Sequence, residues 1–438
     1  MSDFPSSKFD RGKIFAKTGL KVGSNYAKHY LKSLNKKNSS DKSSLHKQTA
    51  EQIFGELTKL RGTALKIGQA LSIDQGFLPD EFAEVMTQTQ YKVPPINRSL
   101  VRSIIKQELG KYPELLFKSF ESEAIAAASI GQVHRAVLKD GRTVAVKIQY
   151  PGVRDTISSD LGLAKTLLRR IVNGKDELDE YFDEIRSTLL LETDYIYEGK
   201  TIDRFHKRFA NEKVTTPQWI SEFSTQRVLT MTYLEGDHLA DFLAKNPTQE
   251  ERNRYGQLLW DFFHDQVDDF DEIHADTHPG NFLLTEDGKL GVIDFGCVKK
   301  FPEEFFSDYL RLLPTHLQRD EEAIINLYRK LGVLKDHPDS SKKEMEYYKF
   351  CLNYGFTFAM PYEGDSFDFG DPEYKELIRG YTKNAPISNE PRGNKNFIYS
   401  TRVHLGLYHF LMKLEAEINT TDSRKIVQNA VESISEDT

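Results

Sequence analysis

Residues Ile273 to Gly296 constrain the fold more than any other stretch. They read I-H-A-D-T-H-P-G-N-F-L-L-T-E-D-G-K-L-G-V-I-D-F-G. Two apolar runs, Phe282-Leu283-Leu284 and Leu290-Gly291-Val292-Ile293, flank Asp287-Gly288, a dipeptide that favours a tight hairpin turn. The pattern predicts a loop, a buried strand, a turn, a second buried strand and then a carboxylate. Such a hairpin holds Asn281 and Asp294 side by side at one end of the sheet. An amide oxygen beside a carboxylate is a hard, oxygen-only site that suits Mg²⁺, whose shell is completed by phosphates and water. Asp276 precedes Asn281 on the same loop, placed to orient a nucleophile or to bind metal through water.

This is the spacing a protein kinase uses. His274-Ala275-Asp276 stands in the place of H-R-D, Asn281 follows at the expected offset, and Asp294-Phe295-Gly296 is a literal D-F-G. A lone D-F-G is weak, since most loop carboxylates are merely solvated; three polar positions in order are much more specific. Upstream, Val137-Leu138, the turn Lys139–Arg142 and Thr143–Ile148 read as a hairpin whose second strand carries V-A-V-K, ending on Lys147. In kinases that lysine engages the α- and β-phosphates of ATP. A G-x-G-x-x-G loop should precede it, but Ala126, Ala128 and Gly131 hold those positions. Alanine disfavours positive φ, and its methyl blocks close backbone approach. The loop is therefore read as stiffer than a kinase phosphate loop. Val228–Gly236 reads as a buried strand entering a linker, where backbone groups would take adenine. The nucleotide-binding set read in this way is Ala126, Ala127, Ala128, Ser129, Gly131, Lys147, Met231, Thr232, Tyr233 and Leu234.

Helical periodicity fills most of the rest. Ile53, Leu57, Leu60, Ala64, Ile67 and Leu71 recur every three or four residues and form one apolar stripe. Lys66 and Gln69, three apart, share a face of that helix. Further helices are expected over 98–117, 155–172, about 177–210, 250–270 and about 399–418. The 177–210 helix carries Glu184, Glu192, Asp194 and Glu198, one of which should pair with Lys147. No A-P-E motif closes an activation segment, so the usual platform for protein substrates is missing.

The 438 residues suffice for two or three structural units. Two cysteines, Cys297 and Cys351, give neither a disulfide framework nor a zinc set, which places the chain in a reducing, cytoplasmic compartment. No apolar run approaches the ~20 residues that span a bilayer. The net charge of −7 divides into +8 on residues 1–50 and −15 on the remainder. A basic arm on an acidic body fits an anionic surface or a disordered solubilising tail. No aromatic-stacking or helix-turn-helix signature points to nucleic acid.

Assembled, these residues resemble the UbiB family of atypical kinase-like proteins, and within it the branch needed for coenzyme Q biosynthesis. The resemblance runs from about residue 50 to about 415. It is carried by K-x-G-Q at Lys66–Gln69, A-A-A-S-I-G-Q-V-H at 126–134, V-K-I-Q-Y-P-G-V at 146–153, E-x-D-Y at 192–195, and D-x-x-x-x-N with D-F-G. It implies an α+β, bilobal protein-kinase-like fold with a family-specific helical N-terminal extension. The expected divisions are a basic segment 1–48, the extension 49–118, an N-lobe 119–236 and a helical C-lobe 237–438. It also implies that Lys147 pairs with Glu198, that Asp276 takes the catalytic-loop position and that Asn281 and Asp294 hold Mg²⁺. Lys66 and Gln69 would face Glu192 and Asp194 as a gate over the site. The implied activity is ATP binding with slow ATPase turnover stimulated by membrane lipid or quinone-precursor-like phenols, with protein phosphorylation in trans suppressed. Implied partners are an anionic membrane surface, isoprenoid lipid precursors and quinone-biosynthesis proteins. The competing readings are a phosphotransferase acting on a small molecule or lipid, and a non-catalytic nucleotide-binding scaffold. Many members carry proline where this chain has Thr277, and many bacterial relatives end in transmembrane segments for which this sequence shows no counterpart.

Overall fold

A computed structural model describes residues 95–127, 130–168, 175–267, 272–383 and 392–436. Lys66, Gln69, Ala128 and Ser129 lie outside the described residues. The chain divides into two units. The first is 1–200 with 219–233 and 387–391, and the second is 201–218 with 234–386 and 392–438.

In the first unit, α1 (Arg98–Leu109) begins at Asn97, whose side chain accepts from the Leu100 N–H at 2.9 Å. It ends at Gly110, whose φ of 77° is the left-handed turn glycine allows. The helix expected over 98–117 is thus cut in two, and α2 (Pro113–Leu116) restarts on a proline at its first turn. The antiparallel sheet that follows contains β1 (Ser119–Phe120), β2 (Ala126–Ala127), β3 (Gly131–Val137) and β4 (Thr143–Gln149). Then come α3 (Val153–Leu168), α4 (Lys175–Glu192), α5 (Tyr195–Phe209), which belongs to the second unit from Thr201 onward, and, beyond β5 (Val214–Thr215), β6 (Val228–Thr232). The sheet order is β1-β3-β4-β6, with β2 also on β3. Central β4 is buried along nearly its whole length, which is why V-A-V-K-I reads as a continuous apolar run broken only by Lys147. Val101, Ile104 and Ile105 of α1 pack on Ala136, Val144, Val146, Ile148 and Val228 of the sheet. Each such buried aliphatic side chain contributes about 1.5–3 kcal/mol. Glu108 secures the end of α1 by accepting from Arg227 Nε at 2.9 Å and Thr225 Oγ1 at 2.7 Å.

The helix expected over 177–210 is also two helices. Asp194 turns its carboxylate back onto the Ile196 and Tyr197 N–H groups, at 3.2 and 3.1 Å. It caps α5 and so interrupts the run.

The second unit contains β5, α6 (Leu239–Ala244), α7 (Gln249–Asp265), β7 (Ile273–His274), β8 (Phe282–Leu284), β9 (Leu290–Val292) and β10 (Val298–Lys299). After these come α8 (Glu303–Gln318), α9 (Glu321–Lys330), α10 (Lys342–Ala359), β11 (Ser366–Asp368), α11 (Pro372–Lys383), α12 (Phe397–Leu414), β12 (Glu417–Asn419) and α13 (Thr421–Glu436). A capping box between Thr248 and Glu251 starts α7. Trp260 of that helix is fully buried among Tyr362, Phe369 and Tyr408. The helix expected to run to 418 stops at Leu414, because Glu415 adopts a φ of 53° and residues 417–419 pair with β11. Among the described residues no helix is long and apolar enough to cross a membrane.

Candidate active site

The first unit supplies a buried ion pair. Lys147 Nζ donates to both oxygens of Glu198, at 2.9 and 3.2 Å. The side chains are 8% and 1% exposed, so the pair is desolvated and its worth depends on good geometry. Lys147 arrives from β4, where it stands opposite Val133 and Leu229, and Glu198 from the first turn of α5. The ammonium also lies 5.3 Å from the ring centroid of Tyr195. Of the other acids named on these helices, Glu192 is buried at the end of α4 and Asp194 caps α5.

Two neighbours fix this arrangement. A Cβ at Gly131 would lie 2.5 Å from the Ile148 carbonyl oxygen and 2.9 Å from the Tyr195 hydroxyl, so only glycine fits there. A Cβ at Gly199 would fall into the indole of Trp219. Gly199→Ala is therefore expected to push α5 outward beside Glu198. That should cost about 1–3 kcal/mol by overpacking, and a urea-unfolding midpoint equal to wild type would refute it.

Sequence reasoning missed how the acidic turn is held. Gln149 Nε2 donates to the Thr193 carbonyl at 3.1 Å, and Arg154 Nη1 to Thr193 Oγ1 at 3.3 Å. Q-Y-P-G-V was visible as a motif, but its contacts, more than thirty residues away, were not. On the neighbouring strand a chain of bonds fixes a tautomer. The Ile96 N–H donates to Gln132 Oε1 at 2.7 Å, the Gln132 amide to His134 Nε2 at 2.7 Å, and His134 Nδ1 to the Glu121 carbonyl at 2.8 Å. Burial lowers the His134 pKa, keeping it neutral for this role.

The remaining positions of the nucleotide set are placed as follows. Ala126 and Ala127 form exposed β2, opposite Val133 and Gln132. Met231 and Thr232 lie in β6 opposite Ala145 and Val144. The Tyr233 N–H donates to the Thr143 carbonyl at 3.0 Å, so it is committed to the sheet. Leu234 belongs to the second unit.

The second unit supplies the loop and hairpin. β8 and β9 pair antiparallel, Leu283 opposite Gly291, and the turn places Gly288 at a φ of 82°. The Ile293 N–H donates to the Asn281 carbonyl at 3.0 Å, which closes the base of the hairpin and brings Asn281 and Asp294 to the same end. The Asn281 amide N–H donates to the Asp276 carbonyl at 3.1 Å, which orients the amide; its oxygen is a hard donor. Asp294 Oδ1 accepts from the Gly296 N–H at 2.9 Å. His274 joins the two motifs: its Nε2 donates to the Asp294 carbonyl at 2.7 Å, and its Nδ1 accepts from the Asp276 N–H at 3.4 Å. Burial lowers its pKa, which keeps Nδ1 an acceptor. Phe295 packs on Phe205 of α5 at 5.1 Å and on His274 at 5.7 Å between ring centroids. Asp276 Oδ1 accepts from Arg402 Nη2 at 2.6 Å, a partner that sequence spacing gave no sign of.

A family model described as the ABC1 atypical kinase-like domain matches residues 88–328. The chain belongs to this family, the UbiB/AarF atypical kinases. Atypical kinase COQ8, mitochondrial, of Saccharomyces cerevisiae is 30% identical over 389 residues, covering 86% of this chain and 76% of the yeast protein. A probable serine/threonine-protein kinase, abkA of Dictyostelium discoideum, is 29% identical over 95% of this chain and 78% of its own length. Chicken AarF domain-containing protein kinase 1 is 32% identical, over 66% of this chain and 58% of that protein. Among solved structures, the Rv3197–erythromycin complex from Mycobacterium tuberculosis matches with a TM-score of 0.61 and 27% identity, covering 88% of this chain and 96% of that one. The ABC1 chain thus has the α+β protein-kinase-like fold that the family resemblance implies. Lys147, Glu198, Asp276, Asn281 and Asp294 all lie inside the matched domain; Arg402 lies outside it.

Proposed function

We propose that this ABC1 protein is a Mg²⁺-dependent ATPase of atypical kinase type that works at a membrane surface in support of isoprenoid quinone (ubiquinone) biosynthesis. The observation that carries the reading is that the chain holds both a Lys147–Glu198 bridge almost wholly removed from water and, in the other unit, a hairpin that closes with Asn281 and Asp294 at the same end. A scaffold has no need of both.

In this reading Lys147, held by Glu198, binds the α- and β-phosphates. Asn281 and Asp294 would hold Mg²⁺, and their hard amide and carboxylate oxygens fit that ion. The cation, when bound, neutralises charge developing on the phosphates. Asp276 orients the attacking group. The backbone of the alanine-rich segment 126–131 and of residues 231–234, apart from the Tyr233 N–H that the sheet takes, would bind the rest of the nucleotide. Lys66 and Gln69 would act as gate residues toward Glu192 and Asp194. Quinone-pathway involvement rests on family membership and the yeast relative, and an anionic lipid surface rests on the +8 charge of residues 1–50.

The test is ADP release by the purified protein with Mg²⁺ and ATP, with and without anionic liposomes. Asp294→Asn should lower turnover by more than about a hundredfold, as removing a preorganised electrostatic group does. Liposomes should stimulate the wild type. ATP binding without consumption in either condition would remove the ATPase reading.

A further inference from the structure

Asp276 is bound by a residue far along the chain. The Arg402 guanidinium meets its Oδ1 at 2.6 Å, and the two side chains are 21% and 13% exposed. Arg402 rises from α12, beyond residues 88–328 that define the ABC1 domain. Two further contacts seat α12 on the loop. Thr277 Oγ1 donates to the Arg402 carbonyl at 3.0 Å. Gly406, one turn further on, opens a notch for Thr277: a Cβ at 406 would fall on the Thr277 hydroxyl. Proline at 277 has no hydroxyl and could not make this bond. The residue before Asp276 is Ala275, fully buried and without charge.

We propose that Arg402 is the positioning residue of Asp276. It fixes the carboxylate's rotamer and balances its charge beside a bound polyphosphate, while Thr277 and Gly406 hold the helix that delivers it. This inference rests on Asp276 being the catalytic-loop carboxylate of the proposed ATPase. A charge-assisted bond of this length is strong and directional. Small displacements of an orienting group lower turnover without weakening ground-state binding.

Steady-state ATP turnover of the full chain with Mg²⁺ tests the role. Arg402→Ala should lower kcat by about 10–100-fold and leave the KM for ATP within about twofold. Arg402→Lys, which restores a donor cation, should return kcat to within about fivefold of wild type. Arg402→Ala combined with Asp276→Asn should be no slower than Asp276→Asn alone, since a residue acting through another adds nothing once that other is gone. If Arg402→Ala does not fold, Arg402→Gln replaces it, keeping the stem and dropping the charge. An unchanged kcat, a loss confined to KM, or multiplicative losses in the double variant would overturn the proposal. If the wild type consumes no ATP, the ATPase reading fails separately. The pairing is then decided by unfolding midpoints of the same four proteins: non-additive losses sustain it, and additive losses overturn it.

Discussion

Lys147→Met is expected to destabilise the protein by about 3–5 kcal/mol as well as abolish ATP turnover. The size follows from burial. Glu198 is 1% exposed and Lys147 8%, so deleting the cation strands a carboxylate where water cannot reach it. Lys147→Met/Glu198→Leu removes both charges and should recover most of the stability, because an apolar pair of similar volume often matches a buried ion pair. Turnover should not return. Urea unfolding of the wild type, the single and the double variant, with ADP release on each, separates the two effects. A single variant within 1 kcal/mol of wild type would mean that Glu198 finds solvent on losing its partner, contrary to the desolvated pair described above.

Arg392→Met should have a comparable effect on stability in the other unit, about 3–5 kcal/mol, with no bearing on the proposed chemistry. Glu344 accepts from Arg392 Nη1 at 2.8 Å and Nη2 at 2.7 Å, a two-point fork, and from the Lys335 N–H at 2.9 Å. The guanidinium also lies 4.3 Å over the Tyr347 ring. The side chains are 5% and 7% exposed. The Arg392 bonds, outweighing desolvation, hold the Glu344 carboxyl down at about 2, against an ordinary value of 4.5. The folded pKa is the lower one, so the stabilisation is complete above pH 4.5 and is lost as pH falls from there toward 2. A shift of that size corresponds to roughly 3 kcal/mol. Urea midpoints at pH 7, 4.5 and 3 should fall for the wild type across that window. Glu344→Gln should flatten that part of the acid limb, and an unchanged slope would sink the assignment.

The parts of the fold legible in the sequence were those written locally. Asp287-Gly288 between apolar runs predicts a hairpin because only a few dipeptides fit its turn, the strand before D-F-G is a short apolar run, and the V-A-V-K-I strand is an apolar run broken by Lys147. Boundaries set by side-chain capping were not legible. Asp194 looked like one more acid on a helical face, and only its hydrogen bonds to the Ile196 and Tyr197 N–H groups show that a new helix starts there. The stop at Glu415 and the β11–β12 pair are likewise tertiary decisions, made by strands that are distant in the chain. Within the site, residue types and spacing singled out Lys147, Asp276, Asn281 and Asp294. Their supports, Gln149, Arg154 and Arg402, reach across long sequence separations and have no periodicity of their own.

The notch at Gly406 gives two distant positions a shared fate. With threonine at 277, any side chain at 406 has nowhere to go. In a library randomised at both sites, survivors would be recovered as matched pairs, a larger residue at one only with a smaller one at the other. Replacing Thr277 alone by proline would remove the hydroxyl that meets the Arg402 carbonyl, and with it one of the contacts that seat α12 on the loop.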